Sequence, residues 1–383
     1  MNQILILIPD KLKKPMGGMG EQLRNLAAHT PPDYHLTIIG SANSEEYSEE
    51  RFDYYAHHDL NTMWSKENHK MVDQVFLKQS LFVQRALSLD VKPDIVHAFD
   101  WSTMWAGRII AMHYGVPLIT TIQLSIDANT PNHVKATELE YDLAASIELS
   151  GMVDSSSIIQ VSENYASLFP KFLLEKTTVI HNGIDLNLWE KENDVELVGN
   201  GRRKIVYIGR FAKMKNVDAL LDLDLPEDTD LIFIGSPNGG HIDVYDRMLK
   251  ACLKKDNFHY VGAKYGQEKI DWLMAADAVI VPSTHEPFGI VGLEGLASRS
   301  IVLSSFVNGM GDYLTEECAI NCGTTTESIS EAIDRFVSMT DEEKNEMKEK
   351  GLQVCREHDW EIQADKLFKV YDRNIKTFKD VLQ

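Results

Sequence analysis

Three stretches of this 383-residue chain hold residue types able to grip a charged, hydroxyl-rich ligand. The most specific is His285-Glu286-Pro-Phe-Gly-Ile-Val-Gly-Leu-Glu294-Gly-Leu-Ala297, in which seven residues separate two glutamates. A carboxylate in a loop accepts hydrogen bonds from sugar hydroxyls, and one on the following helix can take both hydroxyls of a ribose. The turn between them, near Gly289, offers backbone N–H groups and the positive end of a helix to a phosphate. The second stretch is Gly209-Arg210-Phe-Ala-Lys213-Met-Lys215. Arg supplies a fixed fork of donors for a diphosphate and Lys a mobile point charge, although solvated basic loops are also common. The third, Pro15-Met-Gly17-Gly18-Met-Gly20, could let a backbone approach an anion closely. Its G-G-x-G spacing matches neither the dinucleotide fingerprint nor the P-loop, so a plain turn is an equal alternative.

Each stretch follows a run that reads as a buried strand and precedes a helical one. Strands are expected at Ile4–Ile8, His35–Gly40, Asp94–Ala98, Pro117–Ile122, Ser157–Ser162 and Thr178–His181. Helical character falls at Glu21–His29, Trp105–Tyr114 and Ala136–Leu149. A polar stretch, Glu190–Arg203, then precedes a second set of strands at Lys204–Gly209, Asp230–Gly235, His259–Gly262, Ala278–Pro282 and Ile301–Ser304. Thr340 with Glu343 forms a capping-box pattern for a helix near Asp341–Lys350, and a last helix runs from Trp360 to Phe378. The alternation predicts an α/β architecture of two Rossmann-like βαβ domains, 1–190 and 203–361, with a helix over 362–383 packing back on the first. Ligands of such sheets sit at the carboxyl ends of the strands, which places the three stretches around one interdomain cleft.

Together the motifs carry a family resemblance over nearly the whole length. The chain resembles retaining GT-B glycosyltransferases, and within them the glycogen/starch synthase-like branch and its large neighbouring family. Met16-Gly-Gly-Met looks like that family's donor-phosphate loop, and Pro93-Asp-Ile-Val-His97-Ala-Phe-Asp100-Trp101 like its "PDVVHxHDW" stretch. Asn182-Gly-Ile-Asp185…Trp189 looks like "NGID…W", Arg210 and Lys215 like its Arg-x4-Lys pair, and Glu286 and Glu294 like its E-x7-E motif. Gly309 and Asp312 stand where a Gly-Gly-x-x-Glu turn is usual. The resemblance implies a UDP-, ADP- or GDP-linked sugar as donor substrate, with a glucose-type sugar, no resident cofactor and no metal. It implies Arg210, Lys215 and Glu286 as catalytic residues and Gly17, Gly18, Gly209, Phe288, Gly289, Ile290 and Glu294 as donor-binding ones. His97, Phe99, Gln123 and Asn182 become candidates for sugar or acceptor contact. The base would sit against the loop Val261–Tyr265. The family is generally thought to use front-face attack, so no protein nucleophile is assigned.

The chain departs from the family pattern at Phe99, where the synthases carry a second histidine, and at Gln123, where Thr-x-His is usual. Arg299 and Ile301 replace a usual Gly and Pro, a structural change. His97 reads equally well as a satisfied core histidine, and Trp101, Trp105 and Trp189 as packing residues. Tyr54–His58 and Trp64–His69 are acceptor-loop candidates by position alone. The acceptor is a glycan, a small molecule or lipid-linked sugar, or a hydroxylated nucleobase or protein. A sugar-nucleotide epimerase on the same fold would need acid–base residues that Phe99 and Gln123 remove. A non-catalytic sugar-nucleotide-binding protein conflicts with the intact Arg210, Lys215, Glu286 and Glu294.

Composition bounds these readings. With 44% hydrophobic and 25% charged residues the chain is globular, not disordered. Its apolar runs fall far short of the roughly 20 residues a membrane span needs. No secretory leader is recognisable, and four cysteines are too few for a disulfide scaffold, so a cytoplasmic protein is expected. A net charge of −20 disfavours adhesion to nucleic acid or anionic membranes and leaves a local basic pocket possible.

Overall fold

Short runs of Ile, Val and Leu form the strands of two sheets, and the crossovers demanded by parallel pairing form the helices around them. The computed structural model describes residues 1–13, 18–40, 44–57, 71–126, 138–191, 193–237 and 242–382, leaving the side chains of 71–75, 138–141 and 382 undescribed. The chain divides into two units, Met1–His181 with Trp360–Gln383, and Asn182–Asp359. The polar stretch beginning at Glu190 therefore lies inside the second unit rather than between two domains.

The first unit contains β1 (Asn2–Leu7), α1 (Gly18–Ala28), β2 (Tyr34–Gly40), β3 (Tyr47–Ser48), β4 (Phe52–Ala56), α2 (Met71–Ser88), β5 (Ile95–Phe99) and α3 (Trp101–Tyr114). It continues with β6 (Leu118–Ile122), α4 (Glu138–Asp154), β7 (Ser157–Gln160), α5 (Glu163–Ala166), α6 (Lys171–Leu174) and β8 (Thr177–Val179). Its eight-stranded sheet has the order β3-β4-β2-β1-β5-β6-β7-β8, parallel except for the β3–β4 pair. The strand β4 was not expected from the sequence. Its Tyr54 is buried against the core, which removes that residue from the acceptor-loop candidates. His58 and Trp64–His69 lie outside the described residues.

The second unit contains β9 (Arg203–Ile208), α7 (Asp218–Leu221), β10 (Thr229–Ile234), α8 (Ile242–Lys254), β11 (Phe258–Tyr260), α9 (Gly266–Met274), β12 (Ala278–Val281) and α10 (Ile290–Ala297). Then come β13 (Ile301–Ser304), β14 (Ile320–Asn321), α11 (Thr326–Ser338) and α12 (Asp341–Glu357). Its six strands, β11-β10-β9-β12-β13-β14, are all parallel. Thr340 and Glu343 cap α12 reciprocally: the Thr340 N–H donates to Glu343 Oε2 at 2.7 Å and the Glu343 N–H to Thr340 Oγ1 at 3.2 Å. The final helix α13 (Trp360–Leu382) belongs to the first unit, whose core takes in Leu367, Phe368 and Tyr371. Two parallel Rossmann-like sheets with helical crossovers are the architecture expected.

Both sheets have a topological switch point, where successive crossovers leave one central strand in opposite directions. In the first unit it lies between β1 and β5, and in the second between β9 and β12. Ligands of open α/β sheets collect in the crevice beyond those strand ends.

Candidate active site

At the second unit's switch point, the loop leaving β9 carries Arg210 and Lys215, and the loop leaving β12 carries Glu286. Lys213–Lys215 form a single 3-10 turn ended by Asn216, whose φ of +55° is left-handed. Asn tolerates that region better than most side chains. From there the Asn216 amide donates to Pro282 O at 3.0 Å and to Thr324 O at 2.8 Å. The Thr284 N–H donates to Met214 O at 2.9 Å. The first and third of these bonds stitch the β9 loop to the β12 loop, and the second ties it to the loop after β14. The result is an ion pair between Lys215 Nζ and Glu286 Oε2, with both side chains less than one-fifth exposed.

Glu286 is held from behind as well. Its N–H donates to Asn308 Oδ1 at 3.3 Å, and Gly309 N–H donates to Glu286 O at 3.1 Å. Only glycine fits at 309, because a Cβ there would meet Pro287 O at 1.9 Å. Gly289 begins α10 with φ +89°, and its carbonyl accepts from Tyr313 Oη at 2.5 Å. The exposed Arg210 forms no ion pair among the described residues, so its donors are available to an anion. Glu294 lies little more than one turn into α10. It is buried and paired with the ammonium of Lys269 from α9.

The structure thus brings Arg210, Lys215, Glu286 and the Gly289 turn to one end of one sheet, with Gly209 at the start of the same loop. A cation placed against a carboxylate suits a ligand in which hydroxyls and an anion are neighbours. Phe288 is different: its ring is buried against Tyr313, with centroids 5.0 Å apart, so only its backbone can meet a ligand. Ile290 is half-buried at the first position of α10.

In the first unit the outcome is mixed. Gly17 lies outside the described residues, and Gly18 is the exposed first residue of α1. His97 is fully buried, with Nδ1 at 2.7 Å from Tyr371 Oη and Nε2 at 2.7 Å from Thr121 Oγ1. Burial pushes its imidazole down to about 3, so it is a neutral core residue. Phe99 is also core, its ring centroid 4.3 Å from that of His97. Neither has a face left for a sugar. Gln123 is half-buried and donates to Gln22 Oε1 at 2.5 Å. Asn182 is buried at the start of the second unit, away from the switch-point loops in sequence, and its Oδ1 has no hydrogen-bond partner among the described residues. The tryptophans are in packing roles: Trp189 is buried, and the Trp105 indole N–H donates to Ser150 Oγ at 2.9 Å.

Three residues were not among the candidate site residues, although Asp100 lies within a quoted motif. Asp100 follows β5 at the switch point with φ +68°, caps α3 through a 3.2 Å bond from the Ser102 N–H, and burial lifts its carboxyl to about 6. Non-glycine strain at a strand's carboxyl end marks functional positions. Asn216 and Lys269 were the other two. The signal for Asn216 was its place directly after Lys215, where the turn must reverse.

Two family models match consecutive parts of the chain. Residues 16–188 match Glycosyltransferase Family 4, and residues 190–354 match Glycosyl transferases group 1. The chain belongs to the GT-B glycosyltransferases of group 1. Glycogen synthase from Mycobacterium tuberculosis is 28% identical over 60% of this chain and 56% of its own length. The chain spans less than two thirds of the length of the first curated relatives it matches. Among solved structures, sucrose-phosphate synthase from Thermosynechococcus elongatus superposes with a TM-score of 0.81 at 17% identity, covering 97% of this chain and 99% of its own. Anabaena HepE in complex with UDP and glucose gives 0.72 at 16% identity, covering 97% and 100%. At these identities the superpositions establish the fold.

Proposed function

We propose that this glycosyltransferase moves a glucose-type sugar from a nucleoside-diphosphate donor to a hydroxyl acceptor with retention at the anomeric carbon and without a metal. The observation that carries this reading is the Lys215–Glu286 pair, which Asn216 and Gly309 hold at the β9–β12 switch point. Arg210 and Lys215 neutralise the diphosphate as the glycosidic bond opens. A preorganised cation aimed at developing charge is the form of catalysis that typically contributes most. Glu286 takes the donor sugar's hydroxyls, Glu294 those of the ribose, and the N–H groups at the start of α10 face the phosphates. Retaining glycosidases use a nucleophile and an acid/base carboxylate. Here Glu286 is already engaged with Lys215, which favours stabilisation of the leaving group over covalent catalysis. The first unit presents the acceptor, a glycan, a sugar phosphate or another small hydroxylated molecule, and the net charge of −20 weighs against a polyanionic one.

Incubation with UDP-, ADP- and GDP-glucose tests the reading. One of the three is expected to release nucleoside diphosphate, and proton NMR of the earliest sugar product should show the donor's own anomeric configuration. Release with the opposite configuration contradicts retention. No release from any donor, with or without glucose or glucose 6-phosphate as acceptor, favours a binding protein instead.

A further inference from the structure

Glu294 does not stand alone. Its carboxylate is buried in α10, and the Lys269 ammonium, from the neighbouring helix α9, sits on Oε1. The two side chains are only 9% and 22% exposed. A carboxylate buried without compensation is costly, and the ammonium supplies that compensation. It also fixes direction. A carboxylate offers about four lone-pair sites on two oxygens. With Oε1 engaged by Lys269, no hydrogen bond among the described residues takes Oε2, and it and the remaining lone pairs are left for incoming hydroxyls. Hydrogen bonds to a charged acceptor are roughly twice as strong as neutral ones. Lys269 lies in the first turns of α9, directly after the loop 261–265 that leaves β11, so it stands at the same end of the sheet as the other site residues.

We propose that Lys269 is the positioning residue for ribose recognition: by compensating and aiming Glu294, it makes the site discriminate ribonucleoside from 2′-deoxyribonucleoside diphosphates. The inference rests on the nucleotide-sugar reading of this site. It adds a residue that lies outside the family motifs and contacts the ligand only through its partner.

The test is calorimetric binding of UDP, ADP and GDP to the full chain, followed by the 2′-deoxy form of whichever binds most tightly. Wild type is expected to prefer the ribonucleotide by about tenfold or more, the worth of a hydrogen bond to a charged group. In Lys269→Met the preference should fall to within about threefold, and Lys269→Arg should restore most of it. Adding Lys269→Met to Glu294→Gln should cost no further discrimination, because both act through one carboxylate. Lys269→Gln supplies the same comparison if the methionine variant does not fold. A ribo-to-deoxy ratio unchanged in a folded Lys269 variant overturns the proposal. Wild type that binds none of the three diphosphates overturns the nucleotide reading beneath it.

Discussion

Lys215 and Glu286 lie 71 positions apart in the chain, and each is useful only because the other is held beside it. The residue doing most of that holding is Asn216, through its left-handed backbone and its two amide bonds to Pro282 O and Thr324 O. Asn216→Gly keeps the backbone conformation and loses both bonds. It is expected to lower kcat by about 10–100-fold, the cost of a misplaced catalytic group, with little change in donor KM. Asn216→Ala should show the same loss of kcat and an additional destabilisation of about 1–2 kcal/mol from the left-handed conformation. Steady-state kinetics and thermal unfolding of the two variants check this, and a kcat within twofold of wild type in Asn216→Gly contradicts it. At this scale the motif residues were legible because their chemistry is unusual for their positions. Asn216 and Lys269 were not, because an Asn in a turn and a Lys on a helix are ordinary until the backbone angles and partners are known.

At the scale of elements, buried aliphatic runs made the parallel strands legible to within a few residues, and the capping pair Thr340–Glu343 placed the start of α12. The helices α8, α9 and α11 were not named from the sequence, although parallel pairing of the strands around them requires crossovers. Strand β4 was missed because its Phe-Asp-Tyr-Tyr-Ala run lacks the aliphatic character of the other strands. Arg299, where the family has Gly, sits at φ +57° just past α10, which gives the glycine's usual presence a physical reason. His97 shows how an element-level contact resolves an ambiguous residue: it joins β5 and β6 to α13 through Thr121 and Tyr371. Its folded pKa, about 3, lies below its ordinary 6.5. The contribution to stability is therefore complete above pH 6.5 and lost as pH falls towards 3, at up to about 1.4 kcal/mol per pH unit. Denaturant titrations between pH 4 and 8 should show this acid slope in wild type and a shallower one in His97→Gln. Equal slopes in the two proteins would show that His97 is not buried neutral.

For the whole molecule, the C-terminal helix belongs to the first unit, the one on which it was expected to pack. Helix α13 is last in sequence, yet Leu367, Phe368, Val370, Tyr371 and Ile375 are buried in the first unit's core. Removing residues 360–383 takes away several large buried side chains, each worth about 2–5 kcal/mol. A chain ending at residue 359 should therefore lose the folded first unit while retaining the second. Limited proteolysis should then leave a fragment close to 182–359, and protection of the first unit would contradict the core assignment. The sheet order was not legible from the sequence, because nothing in a strand's own residues says which neighbour it pairs with. The charge of −20 was legible, and the proposed function makes its meaning local: the exposed Arg210 and the paired Lys215 stand where the proposed diphosphate would be held, within a chain that is acidic overall.

Lys215 is proposed to act on charge that develops as the donor bond breaks. The most direct test compares donor dissociation constant and single-turnover rate in wild type and Lys215→Ala. The rate is expected to fall by about 10²–10³-fold, as for loss of one preorganised stabilising donor, while donor affinity changes by less than about tenfold. A single-turnover rate within about threefold of wild type, a barrier change well under 1 kcal/mol, would contradict the leaving-group role.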